Sequence, residues 1–336
     1  MRLRWKRIRY RLEWLGLLLA TKLIPLCSRR VCSHLAGTAG TLLSFLDRHR
    51  YWVALSNLEA AFGDQFSVDE RRKIARESFQ YFARTMVDLL WSPRLTEENF
   101  SRYIELENFE ETARGTGSER SMIIACYHYG NFEWLSLACG FLDLKGTIIS
   151  QEFKNSLLDP IFKKLREQSG HELVARERGI IRLYKVLRRN GRTALLVDLT
   201  VPPTQGAVAV DCFGLKTSVT SAHAWLYEQT GVPIIPAHCE PLSDGRYRLI
   251  FHPKIECTAE MTHQQIAQAC WNSFEPYVRK NPAPWLWMYK HWRYLPAKPE
   301  RPFPFYSNFY RPFEDIVERD REVEDKTLTR AKNVQR

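Results

Sequence analysis

Two side chains could do chemistry at once: His128 and Glu133, either side of a break in the stretch Ile123–Trp134, IIACYHYGNFEW. An imidazole titrates near neutrality and can take a proton from a hydroxyl. A carboxylate bonded to it fixes its tautomer and stabilises the imidazolium, the part played by the acid of a hydrolytic triad. No nucleophile of the chain accompanies the pair, because G-x-S-x-G is absent and Cys126 falls inside an apolar run. The base would then activate a hydroxyl of a substrate, which suits a transferase better than a covalent hydrolase. The residues alone leave a capped core histidine as the competing reading.

H-x4-[DE] is a weak pattern, with about one match expected by chance in a chain of this composition. The second match, His223/Glu228, shows what a decoy looks like. It lies inside a helical pattern, where positions five apart diverge by about 140°. At His128/Glu133 the predicted helix starts between the two residues. Gly130 permits a sharp turn and Asn131 can cap the helix. Glu133 then falls in the first turn, where the helix dipole favours a carboxylate, and can fold back toward the imidazole.

The elements that must position these residues alternate. Ser67-Val-Asp-Glu70 is a capping-box pattern and predicts a helix to about Trp91, stopped by Pro93. Ser121–Cys126, Thr147–Ser150, Thr193–Asp198, Val232–Ala237 and Tyr247–Phe251 read as strands. Trp134–Leu142, Leu157–Gln168, Ser221–Gln229 and His263–Val278 read as helices. This alternation predicts an α/β fold with a mostly parallel sheet flanked by helices. Ligands in such folds gather at the carboxyl ends of strands. His128 lies just beyond one strand, on the loop leaving it, and Asp198 ends another.

The chain has 336 residues, a 45% hydrophobic fraction, ten tryptophans and a formal net charge of +11, enough for a large core and a marked preference for anionic partners. Eight cysteines contain no C-x-x-C pair, which argues against zinc and disulfide frameworks and fits a reducing compartment. Residues 1–46 form a basic-apolar element, 47–313 a single α/β domain, and 314–336 a charged tail expected to be disordered. Arg2, Arg4, Lys6, Arg7, Arg9 and Arg11 precede the first acid, Glu13, and the apolar run Trp14–Leu26 holds Lys22 and Pro25. Thirteen residues reach only ~20 Å as a helix, short of a ~30 Å hydrocarbon core. The preferred reading is an uncleaved anchor lying on an anionic membrane surface. A buried helix hairpin is the alternative, and Ser28-Arg29-Arg30 is a poor signal-peptide cleavage site.

The chain resembles the late acyltransferases of lipid A biosynthesis, within a wider bacterial family that includes phosphatidylinositol mannoside acyltransferases. The resemblance runs through Ser56–Phe62, then His128-Tyr129-Gly130-Asn131-Phe132-Glu133, which looks like the family's H-[FY]-G-N-[WF]-E block. It continues through Phe153–Asp159 to Arg166 and Gly170, then Leu195–Gly214, and ends in Trp285-Leu286-Trp287 with Trp292-Arg293. It implies a glycerolipid-acyltransferase-like fold. It also implies transfer of a fatty acyl chain from acyl carrier protein to a hydroxyl of a membrane glycolipid, at the cytoplasmic face of the inner membrane, with no metal and no redox cofactor. Acyl-CoA is the less favoured donor. On the resemblance His128 is the base, Glu133 holds it, and Arg166 sits near the oxyanion. Asn131, Asp198, Trp287 and Arg293 are carried over as substrate-binding positions. Read as residues, Arg166 is a helix-surface arginine, and Trp285 and Trp287 fit a core or a membrane belt as well as a ligand site.

The chain departs from the family pattern at Asp198-Leu199, where an Asp-Gln pair is common, and at Tyr289-Lys290-His291-Trp292-Arg293, where the leading histidine is lost. These departures bear on the acceptor rather than on His128 and Glu133. The same chemistry on another lipid hydroxyl, and a non-catalytic lipid-binding protein on the same scaffold, are the alternatives. Nucleic-acid binding ranks low, because the basic residues flank apolar runs and form no recognised module.

Overall fold

The computed structural model describes residues 2–114, 121–204 and 206–334. Four helices come first: α1 (Arg2–Leu23), α2 (Arg29–Leu46), α3 (Arg48–Phe62) and α4 (Val68–Trp91). Their starts are local chemistry. The Ser28 hydroxyl accepts from Val31 N at 3.3 Å to open α2, and Asp47 accepts from Arg50 N at 3.1 Å to open α3. Both halves of the Ser67–Glu70 capping box form, and α4 stops ahead of Pro93 as expected. Helix α2 buries every fourth residue, Cys32, Ala36, Gly40 and Ser44, and packs on α4. A Cβ on Gly40 would lie 2.4 Å from Gln80 Cα, so the two helices meet backbone to backbone and only glycine fits there.

The α/β body follows. Its elements are β1 (Ile104–Glu107), β2 (Met122–Gly130), α5 (Phe132–Phe141), β3 (Thr147–Ser150), α6 (Asp159–Glu167), β4 (Glu172–Ala175), α7 (Gly179–Leu187) and β5 (Arg192–Leu196). A hairpin of β6 (Ala207–Cys212) and β7 (Leu215–Thr220) comes next, then α8 (Ala222–Thr230), β8 (Ile234–Pro241), β9 (Tyr247–Phe251) and α9 (His263–Lys280). Two short strands, β10 (Tyr294–Leu295) and β11 (Asn308–Phe309), precede α10 (Arg311–Val334). Seven strands form one sheet in the order β1-β9-β8-β2-β5-β3-β4. Within it only the β8–β9 pairing is antiparallel. This is the mostly parallel, helix-flanked sheet that the alternating pattern predicts. Strand β2 lies at its centre, and Met122–Tyr127 are all buried, as expected of a strand covered on both faces. Each such isoleucine contributes about 1.5–3 kcal/mol through burial.

The structure corrects several expectations. Strand β2 runs on to Gly130, so His128 belongs to the strand and not to a loop. The β6–β7 hairpin is unanticipated. It turns through Phe213 (φ 56°) and Gly214 (φ 77°), the pair of positive φ angles that a two-residue hairpin needs. At the start of the charged tail, Phe313, Ile316, Val317 and Asp320 recur at helical spacing and bury one face of α10, which packs on β6.

Among the described residues no helix is long and apolar enough to cross a membrane. The apolar run after Trp14 is interrupted by Lys22 and closed by Pro25, where α1 gives way to a short turn ahead of α2. The outer face of α1 is apolar nonetheless. Trp5, Ile8, Leu12, Leu15, Leu19 and Leu23 are exposed at three- and four-residue intervals, one stripe of α1.

Candidate active site

Register brings the site together. Cys126 of β2 pairs with Leu196 of β5, and Val197 N donates to Cys126 O at 3.0 Å. Two residues further along these parallel strands, His128 lies opposite Asp198. The Asp198 carboxylate takes the next rung of the ladder: His128 N donates to Oδ2 at 2.9 Å, and His128 Nδ1 lies 2.8 Å from Oδ1. The Trp285 indole donates to Oδ2 at 2.9 Å. Asp198 is buried, which favours its neutral acid, but the His128 imidazole and the three donors outweigh that and hold its carboxyl below the usual range.

With Nδ1 engaged, His128 is left with Nε2 for chemistry, and its side chain keeps 13% of its surface open. The Phe132 ring stands edge-on to the imidazole at 4.9 Å. An imidazole with a buried carboxylate behind it and one nitrogen facing outward can act as a general base.

Glu133 does not supply that carboxylate. It is buried in the first turn of α5, as expected, and faces Arg166 of α6. Arg166 Nη2 donates to Oε1 at 2.6 Å and Nε to Oε2 at 2.9 Å, a two-pronged ion pair, while Nη1 reaches Ser150 Oγ at 3.2 Å. Burial works against the guanidinium charge, and Glu133 more than restores it. The expected hold of Glu133 on His128 is therefore replaced by Asp198 on His128 and Glu133 on Arg166. The cause is the extra length of β2, which carries the imidazole to the neighbouring strand before the chain turns.

Asn131 caps α5, accepting from Trp134 N at 2.9 Å, and is itself buried. Gly130 (φ 54°) makes the turn, and a Cβ there would sit 1.9 Å from Cys239 O. Trp287 lies in an aromatic core one ring behind the site. It stands edge-on to Trp285 at 4.7 Å and donates to Pro282 O at 2.7 Å. Trp271 and Trp292 lie 5.7 and 6.4 Å from Trp285. Phe213, at the hairpin tip, is fully buried against the same rings. Arg293 is exposed, and no hydrogen bond described brings it to His128. His291 stacks on Trp285 at 3.9 Å, and burial pushes it down to about 4, so it stays neutral at neutral pH. The decoy pair stays apart: His223 is buried in α8, and Glu228 takes His263 instead at 3.2 Å. Among the described residues no three His, Cys, Asp or Glu side chains gather as metal ligands would.

A family model for bacterial lipid A biosynthesis acyltransferases matches residues 3–294. The chain belongs to that family. It is thus an acyltransferase, with an acyl donor and a lipid acceptor. The chain is also similar to two curated relatives, the phosphatidylinositol mannoside acyltransferases of Mycobacterium tuberculosis strains ATCC 25618 / H37Rv and CDC 1551 / Oshkosh. Each is 25% identical over 232 residues, covering 64% of this chain and 69% of the relative. The match to the family model takes in every site residue named above, from His128 to Arg293.

Two of the site's features were hidden from the sequence reading. The Trp285 indole on Asp198 had a visible signal, the W-x-W block, but no strand register to connect it. Asp88 had none: it is one acid among many on a charged helix, yet it is buried and accepts from Arg29, Asn131 and Tyr247.

Proposed function

We propose that this acyltransferase moves a fatty acyl chain from acyl carrier protein to a hydroxyl of a lipid A precursor or related glycolipid, at the cytoplasmic face of the inner membrane. The observation that carries the proposal is the His128–Asp198 contact at 2.8 Å with Nε2 left for substrate. His128 Nε2 takes the acceptor hydroxyl proton as that oxygen bonds to the thioester carbonyl carbon. Asp198 stays ionised and stabilises the imidazolium. The tetrahedral adduct collapses, the carbon–sulfur bond breaks, and the leaving thiolate takes the proton back from His128. Arg166, held by Glu133, offers a fixed positive charge to the oxyanion. Asn131 and Trp287 are buried and act on ligand from behind the surface, whereas exposed Arg293 suits an acceptor phosphate.

Two surfaces support the partners. On and beside α7, Arg176, Arg178, Arg182, Lys185, Arg188 and Arg189 are exposed, and none has an ion-pair partner among the described residues. Such uncompensated charge attracts an acidic carrier protein. At the other end of the chain an apolar groove of about 370 Å³ is lined by Ile8, Arg11, Leu12, Trp14 and Leu15 of α1 and by Leu157. It continues the apolar stripe of α1, and basic residues on the same helix suit anionic headgroups. The printed acceptor of the two relatives gives a second reading, a phosphatidylinositol mannoside in place of a lipid A precursor.

Mass spectrometry of total lipids from cells lacking the protein tests this. One acyl chain should be missing from lipid A, restored by wild type and not by His128→Ala. Loss of an acyl group from another glycolipid would keep the chemistry and move the acceptor, and no lipid change would remove the proposal.

A further inference from the structure

The buried face of α4 carries polar side chains where apolar ones would be cheaper to bury. Ser78, Thr85 and Asp88 are all about 1% exposed. Their spacing of seven and three residues keeps them within about 80° of one another around the helix. Each bonds an irregular segment of the site. Ser78 Oγ donates to Trp285 O at 2.6 Å and accepts from Trp287 N at 3.3 Å. Thr85 Oγ1 donates to Gly130 O at 2.8 Å. Asp88 Oδ2 accepts from Asn131 Nδ2 at 2.9 Å and from the Tyr247 hydroxyl at 2.6 Å.

One of the two segments gripped in this way adjoins His128 and the other touches Asp198. Gly130-Asn131 directly follows the stretch of β2 that holds His128, and Trp285 donates to Asp198. Asp88 has its own counter-charge. Arg29, in the first turn of α2, donates to Oδ1 at 2.6 Å, and its guanidinium lies against the rings of Trp91 and Trp134, 4.9 and 4.7 Å from their centroids.

We propose that Ser78, Thr85 and Asp88 form a positioning ridge that sets the His128–Asp198 geometry, with Arg29 tying the ridge to the N-terminal helix pair. The inference rests on the reading of His128 as general base. Helices α2 and α4 touch through Gly40, so the ridge helix is backed directly by the helix that carries Arg29. Small displacements of a base cost far more in turnover than in binding.

The test uses the full-length protein and two readouts. One is the exchange rate of the low-field His128 Nδ1 proton in NMR, which needs no turnover. The other is the split between kcat and KM. Thr85→Val changes no charge and keeps the side-chain shape. It should speed Nδ1 proton exchange about tenfold and lower kcat by about tenfold or more, with KM for both substrates within about twofold. Thr85→Ser, which keeps the hydroxyl, should restore both. Asp88→Asn should act in the same direction. If it fails to fold, Thr85→Val decides. A folded Thr85→Val with wild-type exchange and wild-type kcat overturns the ridge and leaves those hydroxyls as backbone satisfiers. If wild type transfers no acyl group at all, the functional reading fails, and proton exchange alone still judges the ridge.

Discussion

Two histidines of the central sheet are hydrogen-bonded and largely enclosed, and they differ in what they face. His128 meets a buried carboxylate, Asp198, and keeps one edge open. His238, on the adjacent strand β8, meets another imidazole: its Nδ1 lies 2.9 Å from His252 Nε2, and Tyr129, Phe274 and Tyr277 surround it. Burial lowers both members of that pair, His252 to about 4 and His238 well below its ordinary value, since a charge on either has no carboxylate to meet it. Enclosure alone therefore makes an imidazole inert. A carboxylate behind it and an opening before it are what a general base needs. The same sheet supplies both environments, one strand apart.

The comparison can be broken most decisively at the dyad. His128→Ala and Asp198→Asn should each lower turnover by roughly 10²–10⁴-fold, measured with an acyl thioester and lipid acceptor, while the melting temperature of His128→Ala stays near wild type. Glu133→Gln should act more gently. It leaves Arg166 without its counter-charge, costing about 3–5 kcal/mol in urea unfolding and activity on the order of 10-fold through the oxyanion. A larger activity loss from Glu133→Gln than from Asp198→Asn would reverse the assignment of the two carboxylates.

The smallest effect sharpens the inert side. A histidine whose folded pKa lies below its unfolded value binds a proton more readily when unfolded. Stability contributed by His223, His252 and His291, each lowered to about 4, is therefore full above about 6.5 and lost as pH falls toward 4. The lowered Asp198 adds its own loss only below the ordinary carboxylate range. Replacing the pair by His238→Asn/His252→Gln should shrink the acid loss by about 1–3 kcal/mol, read from urea midpoints at pH 7 and pH 4.5, with turnover within about twofold of wild type. An unchanged acid limb would mean that the pair does not stay neutral in the fold.

Much of the scaffold was legible because its signals are local. The Ser67–Glu70 box, the strands at Thr147–Ser150 and Tyr247–Phe251, and the helix from His263 all lie where short-range pattern puts them. The site was legible by half. His128 stands out as a residue type at a strand end, but its partner sits 70 residues away and is chosen by the register of β2 against β5. Glu133 lies nearer in sequence and does occupy the first turn of its helix, yet the long strand turns the imidazole elsewhere. The hairpin escaped notice because a phenylalanine at positive φ is not a turn residue by type. The start of α10 is hard to read because the charge around it masks the spacing of Phe313, Ile316 and Val317.

The crowding of Trp271, Trp287 and Trp292 around Trp285 has an optical consequence. Indoles held this close couple their transitions, and the central one is hydrogen-bonded to Asp198. The near-ultraviolet circular dichroism of the protein should thus be dominated by one spot next to His128. The molecule carries a native, label-free reporter of whether its carboxylate is in place.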